Sequence, residues 1–319
     1  MQSLNVWLIG AGGMAVDYAK VLLALGANIT VIGRGEESAR QMIEKCEIAV
    51  VTGGLEQFLA GNPPLPDAAI VAVGVEGLAT AANQLLVFGV RKILLEKPGA
   101  LRLSELTDLN ELSKSCKADV SIAYNRRMYI AVSAARKIIE QDGGILSMHF
   151  EFTEWGHVIE GIVKAPGVKE AWLLGNSTHV IDLAFNLGGY PVHLQTQTSG
   201  SLSWHPSSAI FAGSGRTDKD VLFSYQANWD APGRWGLEVL TRHRRLIFRP
   251  METLQVMHRG SIAIEPVDLD YALEKQFKPG LYKQVAEFLQ SQVSKDLCKL
   301  EEQVAMWPIY MKMAGYSNG

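Results

Sequence analysis

Cysteine is scarce: Cys46, Cys116 and Cys298 are the only three in 319 residues. Odd in number and far apart, they make neither a complete disulfide framework nor a paired-cysteine zinc site, so no metal is expected and a reducing cytoplasm fits. Long apolar runs are also missing. None approaches the roughly 20 residues of a bilayer-spanning helix, and no basic-then-apolar leader precedes the first strand. Neither sign of charge dominates, since 30 basic residues face 33 acidic ones. That balance gives no field to collect nucleic acid or an anionic membrane surface. Internal repeats and low-complexity tracts are absent as well. The partners to expect are a small molecule and further copies of the same chain.

What is present is a globular composition, 48% hydrophobic and 20% charged, in a chain long enough for two domains. Over residues 1–124 six apolar runs, NVWLIG, NITVIG, EIAVV, AAIVAV, KILLE and DVSIAY, alternate with helical patterns. Near-continuous Val/Ile/Leu runs suit strands covered on both faces. The class is therefore α/β, with a Rossmann-type doubly wound parallel sheet over residues 1–124. After Tyr124 the pattern changes. A helix from Met128 to Gln141 stops at Gly143-Gly144, ILSMHFEFTEW alternates like a strand, and residues 192–265 read as successive strands between turn signals. Helical patterns over 280–291 and 299–313 follow. Residues 125–319 are thus expected to form an α+β domain built on a mostly antiparallel sheet. The ligand site is expected in a cleft between the two domains.

The first strand runs into GAGGMA, giving Gly10-x-Gly12-x-x-Ala15 at a strand-to-helix junction. Glycines there permit a tight turn and let the backbone approach a pyrophosphate, whose charge meets the first amides of the next helix. Gly13, Met14 and Ala15 open that helix. The second strand ends VIGRGEES. An acidic residue at its tip would bind the ribose hydroxyls of NAD, but Gly33 and Arg34 stand there, with Ser38 a turn further on. A guanidinium fork suits the 2′-phosphate of NADP. NAD stays possible through Glu36 or Glu37, with Arg34 then only a solvated loop charge. The fifth strand ends LLEKPGAL. Glu96, Lys97 and Pro98 lie at the carboxyl end of a parallel strand, where open α/β sheets place ligands. From position alone Lys97 either faces a ligand or simply ends the strand in water.

A further stretch, GNSTHVIDL, sets a histidine in a largely apolar helix. At about 100° per residue, Asn176, His179, Asp182 and Asn186 share roughly a third of the circumference, and only Leu183 intrudes. This stripe is either a set of internally satisfied polar groups or the wall of a wet cleft.

The dinucleotide fold, EKP after the fifth strand, NRR after the sixth and His-x-x-Asp on a later helix together resemble the Gfo/Idh/MocA oxidoreductases, named for glucose-fructose oxidoreductase and inositol dehydrogenase. The resemblance implies that Lys97 hydrogen-bonds the reacting hydroxyl or carbonyl and that a cis peptide precedes Pro98 beside the nicotinamide. It also implies that His179 donates or accepts the proton, and that the second domain's open sheet often carries oligomer contacts. One departure matters. Such proteins commonly carry Asp four residues before this histidine, and here that position is Gly175. Either His179 and Lys97 act as a pair, or a side chain such as Tyr124 supplies the missing function, or the site no longer turns over. The first is preferred, because hydride transfer needs one well-placed proton partner.

Tyr124, Asn125, Arg126 and Asn176 are candidate substrate contacts. The alternative for at least one of Arg126 and Arg127 is an anchoring ion pair, and Asp182 is expected to brace its helix. RHRR at 242–245 reads as a solvated sheet edge, and Trp155, Trp172, Trp229 and Trp235 as packing residues that could stack on a sugar. The expected function is a secondary-alcohol/ketone oxidoreductase using NADP, with NAD possible, on a sugar, cyclitol or sugar derivative. The rivals are a glycosidase that works by transient oxidation with NAD, and a non-catalytic NADP-binding sensor.

Overall fold

The six apolar runs become parallel strands in the computed structural model, which describes residues 3–290 and 294–316. They are β1 (Asn5–Ile9), β2 (Asn28–Ile32), β3 (Val50–Val51), β4 (Ala68–Val71), β5 (Lys92–Leu95) and β6 (Asp119–Ile122). Their order across the sheet is β6-β5-β4-β1-β2-β3, the doubly wound arrangement whose reversal between β1 and β4 opens a crevice at the strand ends. All four residues of β4 are buried, as expected of a strand with both faces covered. Helices Gly13–Ala24, Glu36–Cys46, Gly54–Ala60, Leu78–Phe88 and Leu103–Ser115 make the crossovers.

The chain separates into two units, Met1–Asn125 with Leu273–Ala305, and Arg126–Ala272 with Met306–Gly319. The division expected at 124/125, with everything beyond it in the second domain, omits the return of Leu273–Ala305. The return has a physical reason. β6 would otherwise be a bare sheet edge, and Cys298–Lys299 pairs antiparallel along it.

In the second unit the strands are β7 (Ser147–Glu151), β8 (Pro191–Ser199), β9 (Ile210–Thr217), β10 (Leu222–Asn228), β11 (Gly236–Leu240), β12 (Arg244–Phe248), β13 (Gln255–His258) and β14 (Glu265–Pro266). They lie in the order β14-β13-β12-β11-β7-β10-β9-β8. Every neighbouring pair is antiparallel except β7 with β10. Alternation is clear in β10, where Phe223, Tyr225 and Ala227 are buried while Leu222, Ser224 and Gln226 are exposed. Phe150 on β7 packs edge-on to Phe185 of the helix Thr178–Gly188, with ring centroids 5.6 Å apart. Each buried phenylalanine of this layer contributes about 2–3 kcal/mol. The helix expected from Met128 begins at Ile130, after a 3-10 turn over Asn125–Met128. No helix among the described residues is long and apolar enough to cross a membrane.

Candidate active site

In the first unit, Gly10 has φ of +114°, and a Cβ there would lie 2.3 Å from the Ala72 carbonyl oxygen. Only glycine fits that close approach of β1's exit to β4's. A Cβ on Gly12 or Gly13 would meet nothing within 4 Å, so both face open space. Gly12 caps the helix Gly13–Ala24 without a side-chain hydrogen bond, and no acidic residue stands in its first turn. The next crossover helix, Glu36–Cys46, instead carries Glu36 and Glu37 in its first turn. Neither helix has a side-chain cap, but of the two only the first keeps its positive dipole clear of acidic side chains for an incoming anion.

These residues line a pocket of about 750 Å³ that also includes Met14, Gly33, Arg34, Ser38, Gly53 and Gly54. Ala15, expected to help bind the cofactor, is fully buried and does not line it. Gly54 explains the placing of Arg34. Its amide donates to the Gly33 carbonyl at 2.9 Å, and a Cβ on it would come within 3.3 Å of Arg34 Cγ. The arginine stem therefore lies against bare backbone. Ser38 Oγ donates to the Gly35 carbonyl, and Glu37 is occupied by Arg40. Gly53 and Gly54 were missed in the sequence, although a glycine pair after a third apolar run was a readable signal. The fit to a dinucleotide is good: room at Gly12 and Gly13, free amides, and a cation at the tip of β2.

The EKP turn lies in the same unit. The Lys97–Pro98 peptide is cis. Glu96 accepts a hydrogen bond from Tyr18 Oη at 2.7 Å. Burial pushes the Glu96 carboxyl above the usual carboxylate range, against the pull of Tyr18 and Lys97. Burial and the Glu96 charge likewise hold the Tyr18 phenol well above its ordinary value. Gln303, fully buried, donates to the Pro98 carbonyl at 3.0 Å and accepts from Tyr124 Oη at 3.1 Å. Tyr124 and Asn125, expected as substrate contacts, are therefore internal: both are buried, and the Asn125 amide donates to the Pro279 carbonyl. Gln303 carries no spacing signal that would have revealed it. Glu96, Lys97 and Pro98 do not line the glycine pocket.

In the second unit the polar stripe of GNSTHVIDL divides. Asp182 takes two hydrogen bonds from Arg127, at 2.8 and 2.5 Å, with both side chains at most 3% exposed. Asn186 accepts from Arg136 at 2.6 Å. That part is internal bracing, and Arg127 is the anchoring member of the arginine pair. Toward the other end, Leu173–Ser177 winds as a π-helical turn before Thr178–Gly188, a distortion common at functional sites. Here the Asn176 amide donates to both Glu154 oxygens, at 3.0 and 3.1 Å, and Ser177 Oγ donates at 2.7 Å. Glu154 is thus a buried carboxylate held beside the residues that follow Gly175. Nothing in the sequence pattern pointed to it. A Cβ on Gly175 would meet nothing within 4 Å. His179 is buried, its ring 6.2 Å from that of Trp235.

Trp235 belongs to a second pocket, of about 530 Å³, wholly within this unit. Asn176, Arg126, Arg234 and Arg249 line it, with Glu154, Glu252 and the indoles of Trp155 and Trp172. Three of the four tryptophans singled out in the sequence therefore meet at one cavity. Trp229 is buried and donates to the Phe152 carbonyl, as a packing residue does. Within RHRR, Arg244 pairs with Asp142 and Arg245 with Glu238, while Arg242 and His243 are exposed. Arg126 Nε and Trp172 Nε1 are buried without an acceptor among the described residues. Each such donor costs about 1–3 kcal/mol, a cost that recurs where a ligand completes the bonding.

Comparison with known proteins fits this picture. Residues 4–124 match the sequence profile of the Gfo/Idh/MocA group, described as an oxidoreductase family with an NAD-binding Rossmann fold. By sequence, no curated protein matches the chain. Among solved structures, levoglucosan dehydrogenase in complex with NADH is similar at a TM-score of 0.78 and 19% identity, over 98% of this chain and 96% of that one. UDP-N-acetylglucosamine 3-dehydrogenase from Acidithiobacillus ferrooxidans gives 0.76 and 16%, over 98% and 97%. An oxidoreductase from Agrobacterium radiobacter, in complex with NAD+, L-tartaric acid and magnesium, gives 0.77 and 14%, over 97% and 94%. At these identities the likeness is one of fold. The strand order, the open glycine turn and the profile match agree: residues 4–124 form an NAD-binding Rossmann fold similar to that of the Gfo/Idh/MocA oxidoreductases.

Proposed function

We propose that the protein is an NADP-dependent oxidoreductase, able to accept NAD, that interconverts a secondary alcohol and a ketone on a sugar, cyclitol or sugar derivative. The observation that carries this reading is the bare helix start at Gly12–Gly13, opening on a pocket that also holds Arg34. Gly12, Gly13 and Met14 receive the pyrophosphate through backbone amides, at the turn that Gly10 makes possible, and Arg34 with Ser38 takes the adenosine end. When bound, the dinucleotide supplies or takes up the hydride. Lys97 hydrogen-bonds the reacting oxygen. In oxidation the hydroxyl proton passes to the His179 imidazole, and in reduction His179 returns it. The named activities of levoglucosan dehydrogenase and UDP-N-acetylglucosamine 3-dehydrogenase support a sugar-like substrate.

A second reading, a dinucleotide-binding sensor, has one observation in its favour, the absence of a carboxylate on Gly175. One experiment separates the two. Nicotinamide fluorescence is followed when the protein meets NADPH or NADH and a metabolite extract, in parallel with His179→Ala. Consumption of many equivalents by the parent, with little by the variant, is expected. Dinucleotide binding of equal strength in both proteins, without consumption in either, would favour the sensor.

A further inference from the structure

The pocket of the second unit sets three guanidinium groups against two carboxylates. Arg249 is engaged with Glu151 at 2.9 Å, and Glu154 with Asn176 and Ser177. Arg126 and Arg234 enter no ion pair among the described residues. Each lies instead on an indole face, Arg126 on Trp235 and Arg234 on Trp155, with 4.6 Å from guanidinium carbon to ring centroid. Such stacking fixes the guanidinium plane and leaves its N–H edge available, which is the arrangement that receives a planar or tetrahedral oxyanion through paired hydrogen bonds.

Two buried donors, Arg126 Nε and Trp172 Nε1, lack acceptors at this same cavity. A group that offers only acceptors completes them. A hydroxyl brings a donor of its own and leaves two stacked cations without a counter-charge. The remaining wall, with Val158, Ile159 and Met251 beside the indoles, suits the C–H face of a sugar ring. We propose that this pocket binds the anionic substituent, a carboxylate or a phosphate, of a sugar-like substrate, with Arg126 and Arg234 as its receptors. The proposal rests on the reading of the protein as a sugar-type oxidoreductase and narrows its substrate class.

The test needs neither cofactor nor turnover, so its failure is distinguishable from a failure of the redox reading. Binding of D-glucuronate, D-glucose 6-phosphate and D-glucose to the full-length protein is measured by calorimetry and by the fluorescence of the pocket tryptophans. At least one anionic probe is expected to bind about tenfold or more tightly than glucose, and the preference is expected to shrink as salt is raised. Which anion wins distinguishes carboxylate from phosphate. In Arg126→Gln, and separately in Arg234→Gln, the preference should fall to about threefold or less. Arg216→Gln, at an exposed arginine paired with Asp220, should keep it. Arg234 is exposed and stays informative even where Arg126→Gln fails to fold. Equal binding of glucose and both anions overturns the proposal. So does a preference that survives both pocket substitutions, or the failure of both anions to bind.

Discussion

The two units offer their pockets to ligands in different currencies. In the first, much of the lining is glycine backbone: Gly10, Gly33, Gly53 and Gly54 keep side chains out of the pocket, and Gly12 and Gly13 open the helix whose first amides face it. In the second, tryptophans and arginines from distant stretches converge. Backbone donors suit a group that is the same in every dinucleotide, such as a pyrophosphate. Side chains suit a partner that must be told from its relatives, because their shape and charge can vary without disturbing the fold.

The adjacent residues Arg126 and Arg127 give the largest test of this contrast. Arg127→Ala removes both hydrogen bonds that the guanidinium gives the buried Asp182 carboxylate and is expected to cost about 3–5 kcal/mol, read as a lowered urea midpoint. Arg126→Ala, which removes mainly a stacking contact, should cost about 1 kcal/mol. Equal losses would erase the distinction between bracing and pocket. Glycines supply the next comparison. Gly10→Ala combines positive φ with a backbone clash and should lose about 2–4 kcal/mol together with dinucleotide binding. Gly175→Ala enters open space and should stay within about 1 kcal/mol of the parent. Arg34→Ala is expected to weaken NADPH binding about tenfold while sparing NADH, as measured by fluorescence titration. Similar losses for both cofactors would make Arg34 a general contact.

The smallest effects are those of pH, and they run in opposite senses. Glu96 is held above the usual carboxylate range by burial, so the folded state keeps a proton that the unfolded chain releases near pH 4.3. Stability therefore falls as pH rises from about 4 through the folded value, and Glu96→Gln should gain on the parent over that window. His205, in the second unit, is held below the ordinary imidazole value, chiefly by burial. Its contribution is present above about pH 6.5 and is lost as pH falls through the folded value. His205→Phe removes the bonds to Ser208 and Tyr316, so it should be weaker than the parent at neutral pH and approach it at lower pH. Urea midpoints across the range read both, and parallel shifts for the two variants would contradict the assignment.

The same contrast governs what could be read from the sequence. The six strands and the glycine turn were legible, because a buried parallel strand and a close backbone approach each impose residue types at short, fixed spacing. The second sheet was legible as alternation, although the parallel pairing of β7 with β10 was not. The pocket beside Trp235 was not legible as a unit. Arg126, Glu154, Trp172 and Arg234 lie tens of residues apart, and their grouping depends on which strands neighbour one another. The burial of Tyr124 and Asn125 was hidden for a related reason: their hydrogen-bond partners, Gln303 and Pro279, lie far along the chain. The helical projection through His179 failed locally because the π-helical turn over Leu173–Ser177 changes the angle per residue.

The return of Leu273–Ala305 to the first unit bears on how the protein is made. During synthesis β6 leaves the ribosome early, but the segment that closes its edge follows only after all of Arg126–Ala272 has been translated. At about 5–20 residues per second, that delay is on the order of ten seconds. For that time the nascent sheet carries an unpaired strand of the kind that recruits other chains. Chaperone dependence should accordingly be greatest for ribosome-stalled chains that end between these two segments.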